Sequence, residues 1–167
     1  MAKKKSKSNL GKVLGIIAAI LGVVAIGMIF IDTIKVPDTK VLGKVIEGEG
    51  YTGLKVVFGY KVEDASVFGF SIMALVTYLL MIVGLVLAIS SLRAKKGNKV
   101  LDLVTAGLFV VAGVLCFLMP SLVVFPDTIA GKLAAEIDYT LAIGAIVSAI
   151  TSILAGAAMA IKALSAK

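Results

Sequence analysis

Apolar residues gather into four long runs, Val13–Ile31, Val67–Leu92, Val100–Val124 and Tyr139–Ile161. None carries a charge in its middle, and Asp102 stands at the edge of the third. Each run is near or above the roughly 20 residues a helix needs to cross a hydrocarbon core. Between the runs the pattern changes. Residues 1–12, 93–99 and 162–167 are short and basic, whereas 32–66 and 125–138 are longer and mixed. In 32–66, Leu54, Val56, Phe58, Tyr60 and Val62 alternate with Lys55, Val57, Gly59 and Lys61, a period of two that predicts a strand. Lys40–Ile46 reads as a second strand, with Glu47-Gly48-Glu49-Gly50 as the turn, giving a β-hairpin over Thr39–Val62. In 125–138, Ile129, Leu133 and Ile137 fall at helical spacing behind a cap-like Pro126-Asp127-Thr128. Either the fourth helix starts well outside the bilayer, or a separate short amphipathic helix lies on the membrane surface.

The pattern is also doubled. Slid by 87 positions, Lys12-Val13-Leu14 meets Lys99-Val100-Leu101, and Val23-Val24-Ala25 meets Val110-Val111-Ala112. Pro37-Asp38-Thr39 and Pro126-Asp127-Thr128 follow in turn. The two halves close alike, on Ala88-Ile89-Ser-Ser-Leu92-Arg-Ala94-Lys95 and Ala160-Ile161-Lys-Ala-Leu164-Ser-Ala166-Lys167. The expected fold is an all-α membrane protein, a four-helix transmembrane bundle of two tandem hairpins. A pseudo-two-fold along the membrane normal would relate them, and an extracellular β-hairpin would sit in the first outer loop. From the Pro-Asp-Thr turn to the closing motif the first half is 17 residues longer than the second, so individual character is expected in the first outer loop.

Composition points the same way. Sixty per cent of residues are hydrophobic, with mean hydropathy +1.09, above the ~45–50% apolar content of globular chains. The first run is too long for a cleaved leader and reads as a signal anchor. Lys3, Lys4, Lys5, Lys7, Lys12, Arg93, Lys95, Lys96, Lys99, Lys162 and Lys167 fall on one side against Asp102, a net +10. The other side nets −3. The positive-inside bias then puts both termini in the cytoplasm, probing anionic lipid there, with the plasma membrane as the expected location. The basic excess needs no nucleic acid to explain it.

The chemistry available is narrow. The chain has no His, no Trp and one Cys, and Cys116 lies within an apolar run as packing. Neither a cofactor motif nor a metal-ligand cluster is present, and no nucleophile-base pairing suggests an enzyme. Glu47/Glu49 and Glu63/Asp64 read as solvated turn charges. Asp102 is expected to pair with Lys99 or Arg93 at the membrane edge, leaving the bundle without buried charge. Gly15 and Gly22 in the first span, and Gly144, Ser148, Ser152 and Gly156 in the fourth, form seams of small residues. These serve packing within one bundle or self-association into a homo-oligomer. Pro120 should bend or end the third span.

Four spans, termini inside and a larger β-bearing first loop resemble the tetraspan plan of claudin-like proteins. The Trp and paired Cys that mark that family's first loop are absent here, so no functional residue carries over. The function expected is a non-enzymatic tetraspan scaffold, accessory or adhesion-like subunit. It would act on a membrane-protein partner or second copy through Leu54, Val56, Phe58 and Tyr60. The alternative is a small oligomeric channel or carrier around the fourth span.

Overall fold

The computed structural model describes residues 2–41, 44–94 and 98–165, with side chains at 9–39, 47–94 and 98–165. Outside the described residues lie Met1, Leu42-Gly43 in the expected hairpin, Lys95-Lys96-Gly97 in the inner link, and Ala166-Lys167. The side chains of Lys3, Lys4, Lys5, Lys7, Lys40 and Lys44 lie outside them too.

The chain begins with α1 (Ala2–Gly27) and a 3-10 turn at Met28–Phe30. Then come β1 (Asp32–Lys35), β2 (Thr39–Val41), β3 (Lys44–Ile46), β4 (Gly50–Thr52), α2 (Gly53–Phe58), β5 (Tyr60–Val62) and β6 (Ala65–Phe68). Helices α3 (Ile72–Arg93) and α4 (Lys99–Phe117) follow, then a 3-10 turn at Met119–Leu122, α5 (Ile129–Ala135), β7 (Thr140–Leu141) and α6 (Ile143–Ser165). Four helical segments, Asn9–Phe30, Ile72–Arg93, Lys99–Phe117 and Ile143–Ser165, are long and apolar enough to cross a membrane. This is the signature of a largely helical integral membrane protein.

The helices start where side chains satisfy their free backbone donors. Ser71 caps α3, its Oγ accepting from Ala74 N–H at 3.2 Å. This explains why the helix begins at Ile72 rather than at the expected Val67: residues 65–68 are taken by β6. Asn98 Oδ1 accepts from Val100 N–H at 3.1 Å and Leu101 N–H at 3.3 Å, capping α4. Pro120 falls in the 3-10 turn after α4, so the third span ends near Phe117. The fourth starts at Ile143 rather than Tyr139, because Thr140 and Leu141 pair with β1.

The chain divides into two compact units. The first comprises Met1–Ile26, Thr77–Val114 and Ser148–Lys167. Its core is built from Ala18, Ala88, Ala106, Ala155 and Ala158 around Phe109 and Met159. Lipid gives helices little hydrophobic reason to associate, so close backbone approach must do it. The glycines make that approach possible. A Cβ at Gly156 would stand 2.9 Å from Ala106 O, and one at Gly113 would stand 2.9 Å from Ala149 O. Hydroxyls cross-link the helices: Ser148 Oγ donates to Ala25 O and Ser152 Oγ to Phe109 O, each at 2.8 Å.

The second unit comprises Gly27–Val76 and Leu115–Val147. It holds an antiparallel sheet of order β4-β1-β7 and two strand pairs, β2-β3 and β5-β6. The expected hairpin is redrawn here. β2 pairs with β3 in register Thr39↔Ile46, so both strands of this pair precede Glu47–Gly50, which is not the turn that joins them. The segment Leu54–Val62 is not one strand. Thr52 Oγ1 accepts from Lys55 N–H at 3.5 Å and starts α2, and Gly59 at φ +89° ends it. A glycine takes that φ at little cost. Adjacent Val56 and Val57 are both buried, which suits a helical turn and not an alternating strand. β5 and β6 then form a tight hairpin around exposed Glu63-Asp64, with Glu63 at φ 52°.

Candidate functional site

Two clusters of side chains stand out, one in each unit. In the first unit, Ser91 from the last turns of α3, Asp102 from the first turn of α4 and Lys162 from the last turn of α6 converge. Lys162 Nζ lies 3.1 Å from Asp102 Oδ1. It also donates to Ser91 Oγ, and the Ser91 hydroxyl donates to Asp102 Oδ1. Asp102 is wholly buried and Lys162 is only 7% exposed. Each charge sits at the helix end whose dipole favours it, an acid in a first turn and a cation in a last turn. Helix α1 completes the enclosure: a Cβ at Gly15 would lie 3.5 Å from Lys162 Nζ, and one at Gly11 would lie 3.9 Å from its Cγ. The cluster is neutral overall. Asp102 Oδ2 has no hydrogen-bond partner among the described residues, leaving one acceptor position open.

This overturns the expectation of a bundle without buried charge. Asp102 pairs with Lys162, 60 residues away, and not with Lys99 or Arg93. The sequence did carry a signal. Asp102 shares a helix face with Ala106 and Phe109, and Lys162 continues the line of Ser152, Ala155 and Met159, all of them buried.

In the second unit, aromatic rings converge. Tyr51 and Phe68 meet edge-on at 4.9 Å between centroids, with Tyr60 5.6 Å and Tyr139 6.1 Å from Tyr51. Phe125 stacks on Tyr139 at 6.0 Å. Lys55 Nζ lies over the Tyr60 ring at 4.2 Å and over Tyr51 at 5.6 Å, a cation–π arrangement. The Tyr51 hydroxyl donates to Glu49 Oε2 at 3.3 Å. Burial, reinforced by the nearby Glu49 carboxylate, pushes the Tyr51 phenol up to about 12. Tyr139 is raised by the same two causes in the same order. At the rim, Asp38 of the Pro37-Asp38-Thr39 turn accepts from Gly48 N–H at 3.0 Å and from Lys35 at 3.2 Å. The Gly48 bond, then Lys35, holds its carboxyl below the ordinary value.

The four contact candidates do not share one face. Val56 is enclosed, Leu54 and Tyr60 are half-buried, and Phe58 is 63% exposed. Helix α2 inserts a turn where the alternation required a strand, and this separates Val56 from Phe58. The structure instead sets Phe58 beside Phe70, at 6.5 Å between centroids, with Phe70 52% exposed and Val62 exposed nearby in sequence. Phe70 carried no signal, because it merged into the apolar run of the second span.

The packing candidates are engaged within the chain. A Cβ at Gly15 would meet Leu92 Cδ2 at 2.6 Å, and one at Gly22 would meet Phe109 Cζ at 2.9 Å. At Gly144 it would meet Asp32 O at 2.6 Å. Cys116 is buried and free of any disulfide. No group of three or more metal-ligating side chains occurs among the described residues. No family model, curated protein or solved structure matches the chain.

Proposed function

We propose that this is a non-enzymatic tetraspan membrane protein that acts by contact, as a scaffold or accessory subunit for a partner protein in the same membrane. It sits in the plasma membrane with both termini cytoplasmic, its two tandem hairpins related by a pseudo-two-fold, and its strand-bearing segments extracellular. The observation that carries this reading is the exposed Phe58–Phe70 pair on the strand-bearing unit. Aromatic residues are enriched where proteins meet, and two neighbouring exposed rings are costly to leave in water. The channel or carrier alternative is less well supported. The hydroxyls of Ser148, Thr151 and Ser152, the candidates for lining a pore, are spent on backbone carbonyls, those of the two serines on neighbouring helices.

A photoreactive phenylalanine analogue at Val62, cross-linked in native membranes, tests the proposal. A discrete protein adduct should form with the parent chain and disappear in Phe58→Ser/Phe70→Ser. An adduct that survives the double substitution, or no adduct at all, overturns the reading. A self-adduct of twice the chain mass would replace the partner with a second copy.

A further inference from the structure

We infer that α5 lies in the interface of the bilayer, with Ile129 and Leu133 set among the lipid headgroups and first acyl carbons. The spacing of Ile129, Leu133 and Ile137 marks one stripe of a helix. In a water-soluble unit that stripe would turn inward. Here it turns outward: Ile129 is 83% exposed and Leu133 62%, while the buried residues of α5 are the small ones, Gly131 and Ala134. Its orientation is fixed at both levels. Thr128 Oγ1 caps the helix by accepting from Gly131 N–H at 3.0 Å, and the same hydroxyl donates to Ser66 O of β6 at 2.8 Å. Gly131 packs so closely on Pro126 that a Cβ there would stand 2.1 Å from Pro126 O. The helix therefore cannot roll to hide its aliphatic side.

The chain also fixes how far α5 stands from the membrane-crossing helices. Four residues, Glu136 to Tyr139, separate Ala135 from Thr140, a reach of about 18 Å at full extension. Thr140 and Leu141 pair with β1, which begins two residues after the first span ends at Phe30. After β7, only Ala142 precedes α6. Helix α5 is thus tethered by a short connection to the segment that opens the fourth span, a reach that includes the interfacial depth of about 5–10 Å at which such helices rest. Its charge selects the kind of lipid contact. Segment 125–138 has one lysine against three acids, and that lysine, Lys132, pairs with Asp127 at 2.8 Å. Attraction to anionic lipid is therefore not the driving term; aliphatic burial is. The occupant is a lipid surface of either zwitterionic or mixed composition, and the aliphatic stripe differs in this from the aromatic Phe58–Phe70 pair assigned to a protein.

The chain contains no tryptophan, so one introduced at this stripe reports alone. Full-length Ile129→Trp and Leu133→Trp are reconstituted in phosphatidylcholine vesicles, with and without bromine on the upper acyl carbons. Both variants should emit at blue-shifted wavelength, lose most of their emission to the brominated lipid and resist aqueous acrylamide. Adding anionic lipid should leave this unchanged. Quenching by acrylamide and not by bromine would place the stripe in water and overturn the inference. Protection from both quenchers would mean a second copy covers it, and would overturn it equally. Repeating the measurement in the Phe58→Ser/Phe70→Ser background separates this result from the contact proposal, since lipid quenching at α5 should persist there.

Discussion

The two units solve the same packing problem with different materials. The first is held by alanine, glycine and serine, with Phe109, Met81 and Met159 among its large core side chains and a neutral Ser91–Asp102–Lys162 cluster. The second is held by interlocked rings of Tyr51, Tyr60, Phe68, Phe125 and Tyr139 and by short strands. Where the outside solvent is lipid, apolar bulk gives little gain, so backbones must approach closely and polar groups must find partners. Where strands and turns meet water, aromatic area is the efficient way to close a small core. The difference is the one expected when apolar spans pack by close backbone approach and a strand-bearing unit closes on aromatic rings.

Substitutions that attack one material should leave the other unit intact. Lys162→Met should be the most damaging, costing about 3–5 kcal/mol by stranding a buried carboxylate. Adding Asp102→Leu should recover most of that loss, as read by denaturant unfolding in detergent. Equal damage from single and double variants would deny the pair its role. Phe68→Ala should cost about 3–5 kcal/mol in the second unit by emptying the ring cluster. Amide exchange should rise across β1, β4 and β6 while α4 and the C-terminal half of α6 stay protected. Faster exchange in both sets alike would show that the units share one cooperative transition.

Glycines offer a finer cut. Gly156→Ala places a methyl against backbone, 2.9 Å from Ala106 O, and should cost about 1–3 kcal/mol. Gly107→Ala meets nothing within 4 Å and should stay within about 0.5 kcal/mol of the parent. Similar losses at both positions would refute close approach as the organising force. The smallest effects are those of pH, and they belong to the second unit. Asp38 is held below its ordinary value, so its contribution is present above the unfolded pKa and fades as pH falls through the folded one. Tyr51 behaves oppositely. Its contribution is complete below the ordinary phenol pKa of 10 and is lost as pH climbs towards about 12. Phenolate absorbance should show Tyr51 and Tyr139 both titrating late, and Tyr51→Phe should remove the component near 12.

The spans were readable because long apolar runs leave few alternatives, and the caps at Ser71 and Asn98 only trimmed their ends. The second outer segment was half-readable: its helix exists, but spacing alone could not say which side faces out, since the buried side is made of Gly131 and Ala134. Leu54–Val62 misled because alternation and a short helix bounded by Thr52 and Gly59 share the same letters. The buried ion pair was hidden by location. A charge near a span end is ordinarily solvated, and only the line through Ala106 and Phe109 placed Asp102 inside.

The Asp102–Lys162 pair also bears on the order of manufacture. The acid belongs to α4 and its counter-ion to the last turn of α6, so synthesis delivers the carboxylate 60 residues ahead of the ammonium. Until α6 is made and docked, Asp102 has no fixed cation beside it. The completed pair therefore marks the docking of α6, and a product stalled before Lys162 would carry an unmatched acid in α4.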